Sequence, residues 1–286
     1  MRAKTGGYSI DDFALVVDEV SLGEGLPTAK IVRPESEDAV LDMYVELGLL
    51  DHDPYWAALW PSSVALARGV AERARGKGGD LRGKKVCDMG AGLGLAGIAA
   101  ALCGAESVAF YDREPLALQC CLLSAEANGQ RVSFDDERVG GEGEELETRG
   151  CEDDAASDAP AKASEDDAKD DEKTTCVVSA SAFDWNAVPD DQPTFDLVLA
   201  CDVLYEKHAV APVSALVPKL TEPKYGVWLV ADPPERAPRN RERFVERVER
   251  AHGFRAAPPT RATVTHGGST DVVLLLEFRA GKATRN

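Results

Sequence analysis

From residue 85 onward, short apolar runs alternate with longer segments of helical spacing, and this pattern predicts a layered α/β domain. The apolar runs have the length of buried strands, and Gly104 and Gly129 end two of the helical segments. The predicted strands are 85–89, 107–111, 175–179, 196–200 and 227–230, and the predicted helices are 94–103, 115–127, 206–220 and 240–251. Because strands that alternate with helices form parallel sheets covered on both faces, we expect a three-layer α/β sandwich.

The C-terminal end departs from this alternation. Two apolar runs, at 261–266 and 271–278, flank the turn sequence Gly267-Gly268-Ser269-Thr270. Strand-length runs joined by a short glycine-rich turn are typical of an antiparallel hairpin. The hairpin would complete a mostly parallel sheet of seven strands.

The N-terminal end reads as a separate unit over residues 1–54. Strands are predicted at 13–17 and 29–32 on either side of a turn that contains glycine and proline, and a helix follows at 35–47. We therefore expect an N-terminal strand/helix extension that precedes a main domain at 55–286.

Residues 133–173 contain almost none of the large apolar side chains that a core needs. Residues 135–173 contain 17 acidic and 5 basic residues, a balance of −12 within a net charge of −18, so the rest of the chain carries −6. Such a composition predicts a disordered acidic insertion, with a regulatory or partner-binding segment as the alternative. The acidic balance of the remaining chain argues against binding to a nucleic acid backbone.

Composition excludes several classes of protein. The longest weakly polar run, at 93–105, is too short to span a bilayer, and the N-terminus has no apolar signal core. Seven cysteines without a C-x-x-C pair and four scattered histidines offer no metal-ligand spacing, and they indicate reduced thiols. We expect an intracellular, cytoplasmic and monomeric protein that binds neither membrane nor metal.

A glycine-rich loop after the strand at 85–89 is the main chemical signal. Gly92, Gly94 and Gly97 satisfy the G-x-G-x-x-G pattern, with which dinucleotide-binding proteins hold a pyrophosphate at a helix N-terminus. Asp88, at the end of the strand, would repel that anion and would suit a cationic ligand such as S-adenosylmethionine. The loop therefore favours S-adenosylmethionine, and an NAD-dependent enzyme is the alternative.

Acidic residues also follow the next two strands. Asp112 can accept hydrogen bonds from both ribose hydroxyls, a role shared by NAD and S-adenosylmethionine sites, or it can cap the helix at 115–127. Asp184 can accept the exocyclic amine of adenine while Trp185 offers a flat apolar wall. The alternative for this pair is a turn acid beside a half-buried core tryptophan.

The strand at 196–200 runs directly into Cys201, Asp202 and Tyr205. Open α/β sheets bind ligands outside the carboxyl ends of their strands, where the strand order reverses. Asp202 and Tyr205 would face one site there if a helix starts at this turn, and a plain helix cap is the alternative for Asp202. The arginine cluster at 236–250 is interleaved with glutamates and predicts an ordinary surface helix without a function.

In this order, Asp88-x-Gly90-x-Gly92-x-Gly94, Asp112, Asp184-Trp185 and Asp202-x-x-Tyr205 resemble a seven-strand (class I) S-adenosylmethionine-dependent methyltransferase. The D-x-x-Y motif and the segment from Pro54-Tyr55-Trp56 to Trp60-Pro61 are similar to methyltransferase family 16, a branch rich in protein-lysine methyltransferases that includes those that modify electron-transfer flavoprotein and ribosomal proteins. The resemblance covers about residues 54–130 and 175–280.

The resemblance implies a Rossmann-like fold and methyl transfer from S-adenosylmethionine to a lysine amine of a protein. It implies Asp202 and Tyr205 as catalytic residues, and as cofactor-binding residues Trp60, Asp88, Gly90, Gly92, Gly94, Asp112, Asp184, Trp185 and Cys201. The N-terminal unit and the acidic insertion have no counterpart in this pattern, so they leave the acceptor open. The alternatives are a small-molecule N-methyltransferase of the same fold and a non-catalytic binding module.

Overall fold

The computed structural model describes residues 8–76, 79–133 and 175–281. Beyond Ser133, the predicted acidic insertion lies outside the described residues. Within them, no helix has the length and apolar character needed to cross a bilayer. No group of three or more His, Cys, Asp and Glu side chains in the same residues is arranged to hold a metal ion.

Most strands form one large sheet. An N-terminal hairpin of β1 (Leu15–Ser21) and β2 (Thr28–Pro34) stands apart from it. The large sheet contains β3 (Lys85–Met89), β4 (Ser107–Asp112), β5 (Arg131–Val132), β6 (Val177–Ala182), β7 (Leu197–Cys201), β8 (Val227–Asp232), β9 (Arg255–Ala256), β10 (Thr260–His266) and β11 (Ser269–Arg279). Its order is β10-β11-β8-β7-β3-β4-β6-β5, with β9 paired to β11.

The strands from β8 to β5 in this order are parallel, whereas β11 pairs antiparallel with β8, β9 and β10. The predicted mostly parallel sheet with a C-terminal antiparallel hairpin is confirmed. Seven strands are long, and two further strands, β5 and β9, have two residues each. They were not predicted, because two residues carry no periodicity.

Helices cover both faces of the sheet. The helices are α1 (Glu37–Glu46), α2 (Pro61–Arg75), α3 (Leu95–Leu102), α4 (Pro115–Ala127), α5 (Val210–Leu220) and α6 (Pro238–His252). One buried apolar cluster contains the inner faces of α2, α3 and α4, and a second contains those of α5 and α6. Strands between two such layers are buried on both sides, which explains their continuous apolar runs.

Local sequence signals set most helix boundaries. Helices α2, α4 and α6 begin with a proline, whose fixed φ suits the first helical position. The predicted start of α5 at residue 206 is wrong, since the helix begins at Val210. A start at 206 would require a second interior proline, Pro212, besides Pro218, and each lacks the N–H that a helical hydrogen bond needs, whereas the observed start leaves Pro212 in the first turn.

The N-terminal hairpin lies against α4. The backbone N–H of Val32 donates to Ser124 Oγ at 2.9 Å, and that of Ile10 donates to Gln119 Oε1 at 3.0 Å. Buried side chains of this region, among them Ile31 and Tyr44, belong to the same apolar cluster as α2, α3 and α4. The division at residue 54 stays a prediction, but residues 8–54 share the core of the main sheet.

The order of the strands reverses beside β3. The chain moves from β3 outward to β4 and β6, and it then returns to the other side of β3 to form β7 and β8. Between β3 and β7 lies the point at which open α/β sheets leave a crevice at their carboxyl ends. The loops that follow these two strands contain Gly90 and Asp202.

Candidate functional site

A cavity of about 390 Å³ lies at the carboxyl ends of the strands, at this reversal point. Two groups of residues from different parts of the chain line it. We call Gly90, Gly92, Gly94 and Asp112 the glycine wall, and Trp60, Asp202, Tyr205 and Arg236 the aromatic wall. The volume falls in the range of small-molecule sites, about 300–1,000 Å³.

The glycine wall requires backbone conformations that other residues rarely adopt. Gly90, Gly92 and Gly94 have φ values of +66°, +53° and +73°. A Cβ on Gly94 would lie 2.7 Å from Cys121 Sγ and 2.8 Å from the Phe110 ring. The glycines therefore let the loop turn sharply and pack tightly against β4 and α4.

Asp112 fixes this loop from the end of β4. Its Oδ2 accepts the N–H of Gly92 at 2.8 Å, and its Oδ1 accepts that of Glu114 at 2.9 Å. Burial raises the pKa of Asp112 to about 6, against the lowering effect of these two N–H groups. The carboxyl borders the cavity, and its oxygens still have lone pairs that can accept hydrogen bonds from the hydroxyls of a ribose.

Asp88 lies behind the glycine wall instead of on the cavity surface. Its Oδ2 accepts the N–H of Gly97 at 2.8 Å in the first turn of α3, and its Oδ1 is buried without a hydrogen bond. Burial, with a smaller contribution from the charge of Asp112, raises the pKa of Asp88 to about 7. The side chain thus ties β3 to α3 and acts on a ligand only through its charge.

Sequence reasoning missed Glu114, a buried carboxyl that borders the cavity. Its Oε2 accepts a hydrogen bond from the Tyr44 hydroxyl at 2.9 Å and lies 2.7 Å from His52 Nδ1. Trp56 Nε1 in turn donates to the Tyr44 oxygen at 3.0 Å. The network joins the N-terminal region to the cavity, and the sequence signal that we overlooked was a second acid two residues after Asp112.

The loop after β6 and the end of β7 complete the floor. Asp184 is exposed, and its Oδ1 accepts the backbone N–H of Asn186 at 2.8 Å. Trp185 is half-buried beside the loop, so that a Cβ on Gly90 would lie 3.4 Å from its ring. Cys201 also borders the cavity, and burial raises the pKa of its thiol.

Three separate chain segments build the aromatic wall. Trp60 precedes α2, and its Nε1 donates to the carbonyl of Tyr55 at 2.9 Å. Tyr205 is 46% exposed, and its hydroxyl lies 3.5 Å from Asp53 Oδ2. The D-x-x-Y spacing thus brings Asp202 and Tyr205 to one cavity, although α5 starts further along the chain.

Asp202 is held in an unusual conformation. Among the described residues it is the one non-glycine residue with a positive φ, +54°. Such backbone strain is concentrated at functional sites, and here it belongs to the residue whose carboxylate pairs with Arg236. Burial raises the pKa of Asp202, whereas the nearby Arg236 lowers it. The helix-cap alternative is wrong, because the cap of α5 is Ala209.

Arg236 was assigned no function from the sequence, yet its guanidinium lies in the aromatic wall. Its Nη1 donates to Asp202 Oδ1 at 2.8 Å, and its Cζ lies 4.8 Å from the Trp60 ring centroid and 5.7 Å from that of Tyr205. The sequence analysis grouped Arg236 with the arginines and glutamates of a surface helix. Arg236 lies in the loop before α6, to which that helical pattern does not apply.

The cavity as a whole is acidic. Seven carboxyl side chains and two arginines line it among the described residues. A concave, partly desolvated surface of one sign concentrates ligands of the opposite sign. The site is therefore suited to a ligand that carries positive charge.

Residues 76–145 match the sequence profile of the family described as ribosomal protein L11 methyltransferase (PrmA). The electron transfer flavoprotein beta subunit lysine methyltransferase of Rattus norvegicus is 38% identical over 77 residues, which are 27% of this chain and 29% of that protein. A histone-arginine methyltransferase of Mus musculus is 36% identical over 96 residues, 33% of this chain and 36% of that protein. The resemblance to class I methyltransferases is confirmed.

The likeness extends to the whole fold. A crystal structure from Pyrococcus horikoshii, of a protein assigned as a methyltransferase of RNA, superposes with a TM-score of 0.51. It has 16% sequence identity and covers 82% of this chain and 90% of that one, so it shows the fold alone. The chain spans less than a third of the length of the lysine methyltransferase that it matches.

Proposed function

We propose that this chain is an S-adenosylmethionine-dependent methyltransferase that modifies lysine side chains of a protein. The observation that carries the proposal is that the glycine wall and the aromatic wall line one and the same cavity. One wall suits a nucleoside and the other suits a cationic amine, and both stand at the reversal point of the sheet. The lysine methyltransferase relative supports a protein acceptor.

The residues present fit S-adenosylmethionine. Gly90 lies between Val203 and the Trp185 ring, and its missing side chain leaves space there. A Cβ at this position would lie 3.0 Å from Val203 and 3.4 Å from the Trp185 ring. Asp112 would hold the ribose hydroxyls and Asp184 the adenine amine, while Trp185 covers the base. The acidic walls suit the sulfonium and the ammonium of this cofactor.

When bound, the cofactor supplies a methyl group whose carbon–sulfur bond breaks as a carbon–nitrogen bond forms, the electron pair of the broken bond staying on sulfur as the thioether. The chain's own residues then act mainly by position. Asp202 holds the N–H groups of the amine and directs its lone pair, and Trp60 and Tyr205 confine the alkyl chain. Water accepts the proton that the ammonium loses. Correct orientation alone contributes about 7–11 kcal/mol to such reactions.

Substitution of Asp202 tests this role. In Asp202→Asn we expect methyl transfer to fall at least about 100-fold, because the amine loses its charged partner, as for other charge-stabilising groups in active sites. Affinity for S-adenosylmethionine by calorimetry should change by less than about 3-fold, since Asp202 lies on the other wall. Asp191→Asn, at an exposed site outside the cavity, is the matched control. Equal methyl transfer by wild type and Asp202→Asn would refute the role.

Labelled S-adenosylmethionine in a whole lysate tests the class of acceptor. A labelled protein band, with methyl-lysine found by mass spectrometry, is the expected result. Label that enters only small amines would refute the protein acceptor and favour the small-molecule alternative. Binding of NADH without binding of S-adenosylmethionine would refute the methyltransferase itself.

We also infer an intracellular, cytoplasmic location. The six cysteines of the described part are free thiols. Thiols in that state suit a reducing compartment. Fractionation of cells that express the full chain tests the location.

A further inference from the structure

The aromatic wall already contains a cation of the chain's own, the guanidinium of Arg236. It donates one hydrogen bond to Asp202 and lies against the rings of Trp60 and Tyr205. We propose that Arg236 is a displaceable occupant of the acceptor site, and that it restricts this site to acceptors that are themselves cationic, an alkylammonium or an alkylguanidinium. This inference rests on the proposed function, because it names the class of acceptor.

The contacts around Arg236 are those that any alkyl cation seeks. Two aromatic faces within 6 Å attract a cation, and the Asp202 carboxylate neutralises its charge. The second oxygen of Asp202, Oδ2, is buried and accepts no hydrogen bond of normal geometry among the described residues, although the neighbouring Ser62 hydroxyl helps to lower the pKa of this carboxyl. A cationic acceptor that enters with several N–H groups would use an oxygen that Arg236 leaves unpaired.

Comparison with Arg241 shows that Arg236 is held loosely. The Arg241 side chain is 11% exposed and donates to the carboxylate of Asp232 and to the carbonyls of Pro233 and Pro234, so that it locks the loop after β8. The Arg236 side chain is 35% exposed and donates to Asp202 alone among the described residues. Arg241 is built into the fold, whereas Arg236 is not.

The position of Arg236 in the chain allows it to leave. It lies in the loop between β8 and α6, after the two prolines that Arg241 fixes. Rotation about its side-chain bonds would withdraw the guanidinium without movement of β8 or α6. Exposed side chains change rotamer within nanoseconds, which is much faster than enzyme turnover.

Because Arg236 must be displaced, the site selects acceptors by their charge. A cationic acceptor replaces one positive charge at Asp202 by another and keeps the aromatic contacts. A neutral acceptor would leave the buried Asp202 carboxylate without a counter-ion, which is costly. Neutral alcohols and amides are therefore excluded before any chemistry occurs.

Calorimetry on the full-length chain with small probes tests the proposal. The probes are n-butylguanidinium, n-butylammonium and the neutral n-butanol. We expect Arg236→Ala to bind at least one of the two cations at least 10-fold more tightly than wild type and to gain nothing for n-butanol. Asp202→Asn in the Arg236→Ala background should abolish the gain.

Arg236→Lys, which keeps a cation in place, should resemble wild type. Arg239→Ala, an exposed neighbour, is the matched control and should also resemble wild type.

Several results would overturn the inference. Cation affinity in Arg236→Ala equal to that of wild type would show that Arg236 does not occupy a cation site, and an equal gain for n-butanol would remove the charge filter. If Arg236→Ala fails to fold by circular dichroism, Arg236→Met preserves the apolar stem and is judged by the same criteria. S-adenosylmethionine binding is measured on the same samples. Cofactor binding without cation binding refutes this inference alone, and cation binding without cofactor binding refutes the proposed function.

Discussion

The two walls of the cavity are built on different principles. Apart from the Asp112 side chain, the glycine wall is the backbone of residues 90–94, held by the hydrogen bond from the Gly92 N–H to Asp112 and by close packing of Gly94 on Phe110. The aromatic wall consists of side chains from three distant segments, and Tyr205 is 46% exposed. Its central contact is an ion pair between Asp202 and Arg236 with aromatic faces around it.

This difference separates what must stay fixed from what can change. A wall of backbone cannot be altered by rotation of a side chain, so it suits a ligand that is always the same. A wall of exposed side chains can exchange one cation for another and can vary between related chains with little effect on the fold. We therefore expect the glycine wall to be the fixed part of the site and the aromatic wall the adjustable part.

The largest effect is expected from Gly94→Ala in the glycine wall. The methyl group would meet Cys121 and Phe110 at less than 3 Å on a backbone with φ +73°. Strain in the left-handed region and overpacking together should lower the free energy of unfolding by about 2–5 kcal/mol. Urea denaturation measures the loss, and calorimetry should show that binding of S-adenosylmethionine is lost with it.

Gly253→Ala provides the control for that change. Gly253 has nearly the same φ, +70°, but a Cβ there would meet no atom within 4 Å. Its substitution should cost only the backbone strain, about 1–2 kcal/mol. If the two variants lost equal stability, the tight packing assigned to the glycine wall would be wrong.

The same difference explains what could be predicted from the sequence. The strand Lys85–Met89 and the helix Pro115–Ala127 match their predictions to the residue, because each has a continuous pattern with a clear start and stop. Gly94 was found because a short local motif contains it, and Asp112 because an acid directly follows a predicted strand. Arg236 and Glu114 were missed, since their roles depend on residues 34 and 70 positions away. Contacts over such separations leave no pattern in the sequence around Arg236, and around Glu114 the sequence shows only a second acid two residues after Asp112.

A medium effect, dependent on pH, is expected from Asp88→Asn behind the glycine wall. The folded-state pKa of Asp88, about 7, is above its ordinary value of 3.8. The folded chain therefore holds the proton more tightly than the unfolded chain, and this group lowers stability as pH rises from about 4 to 7. Asparagine removes the charge and keeps an acceptor for the Gly97 N–H. Relative to wild type, the variant should gain up to about 4 kcal/mol in unfolding free energy between pH 4 and pH 8.

Asp80→Asn is the counterpart with the opposite sign. Hydrogen bonds from Arg82 lower the pKa of Asp80, so this group adds stability as pH rises. As pH rises, the free energy of unfolding of Asp80→Asn should fall relative to that of wild type. The free energy of unfolding of Asp88→Asn should rise relative to that of wild type. The free energies of unfolding are measured by chemical denaturation between pH 4 and pH 8. If those of wild type and Asp88→Asn changed with pH in the same way, burial would not raise the pKa of Asp88 as argued.

The smallest effect is expected from Tyr205→Phe in the aromatic wall. Burial raises the pKa of the Tyr205 hydroxyl to about 12, so it stays neutral at physiological pH, and it lies at the long distance of 3.5 Å from Asp53. The ring face, 5.7 Å from the Arg236 guanidinium, is the part that a cation contacts, and phenylalanine retains it. Methyl transfer should therefore change by less than about 3-fold in Tyr205→Phe and fall by about 10-fold or more in Tyr205→Ala, which corresponds to about 1.4 kcal/mol. An equal loss of methyl transfer in both variants would show that the hydroxyl, and not the ring, is the group that matters. The aromatic wall would then depend on a fixed hydrogen bond, as the glycine wall does.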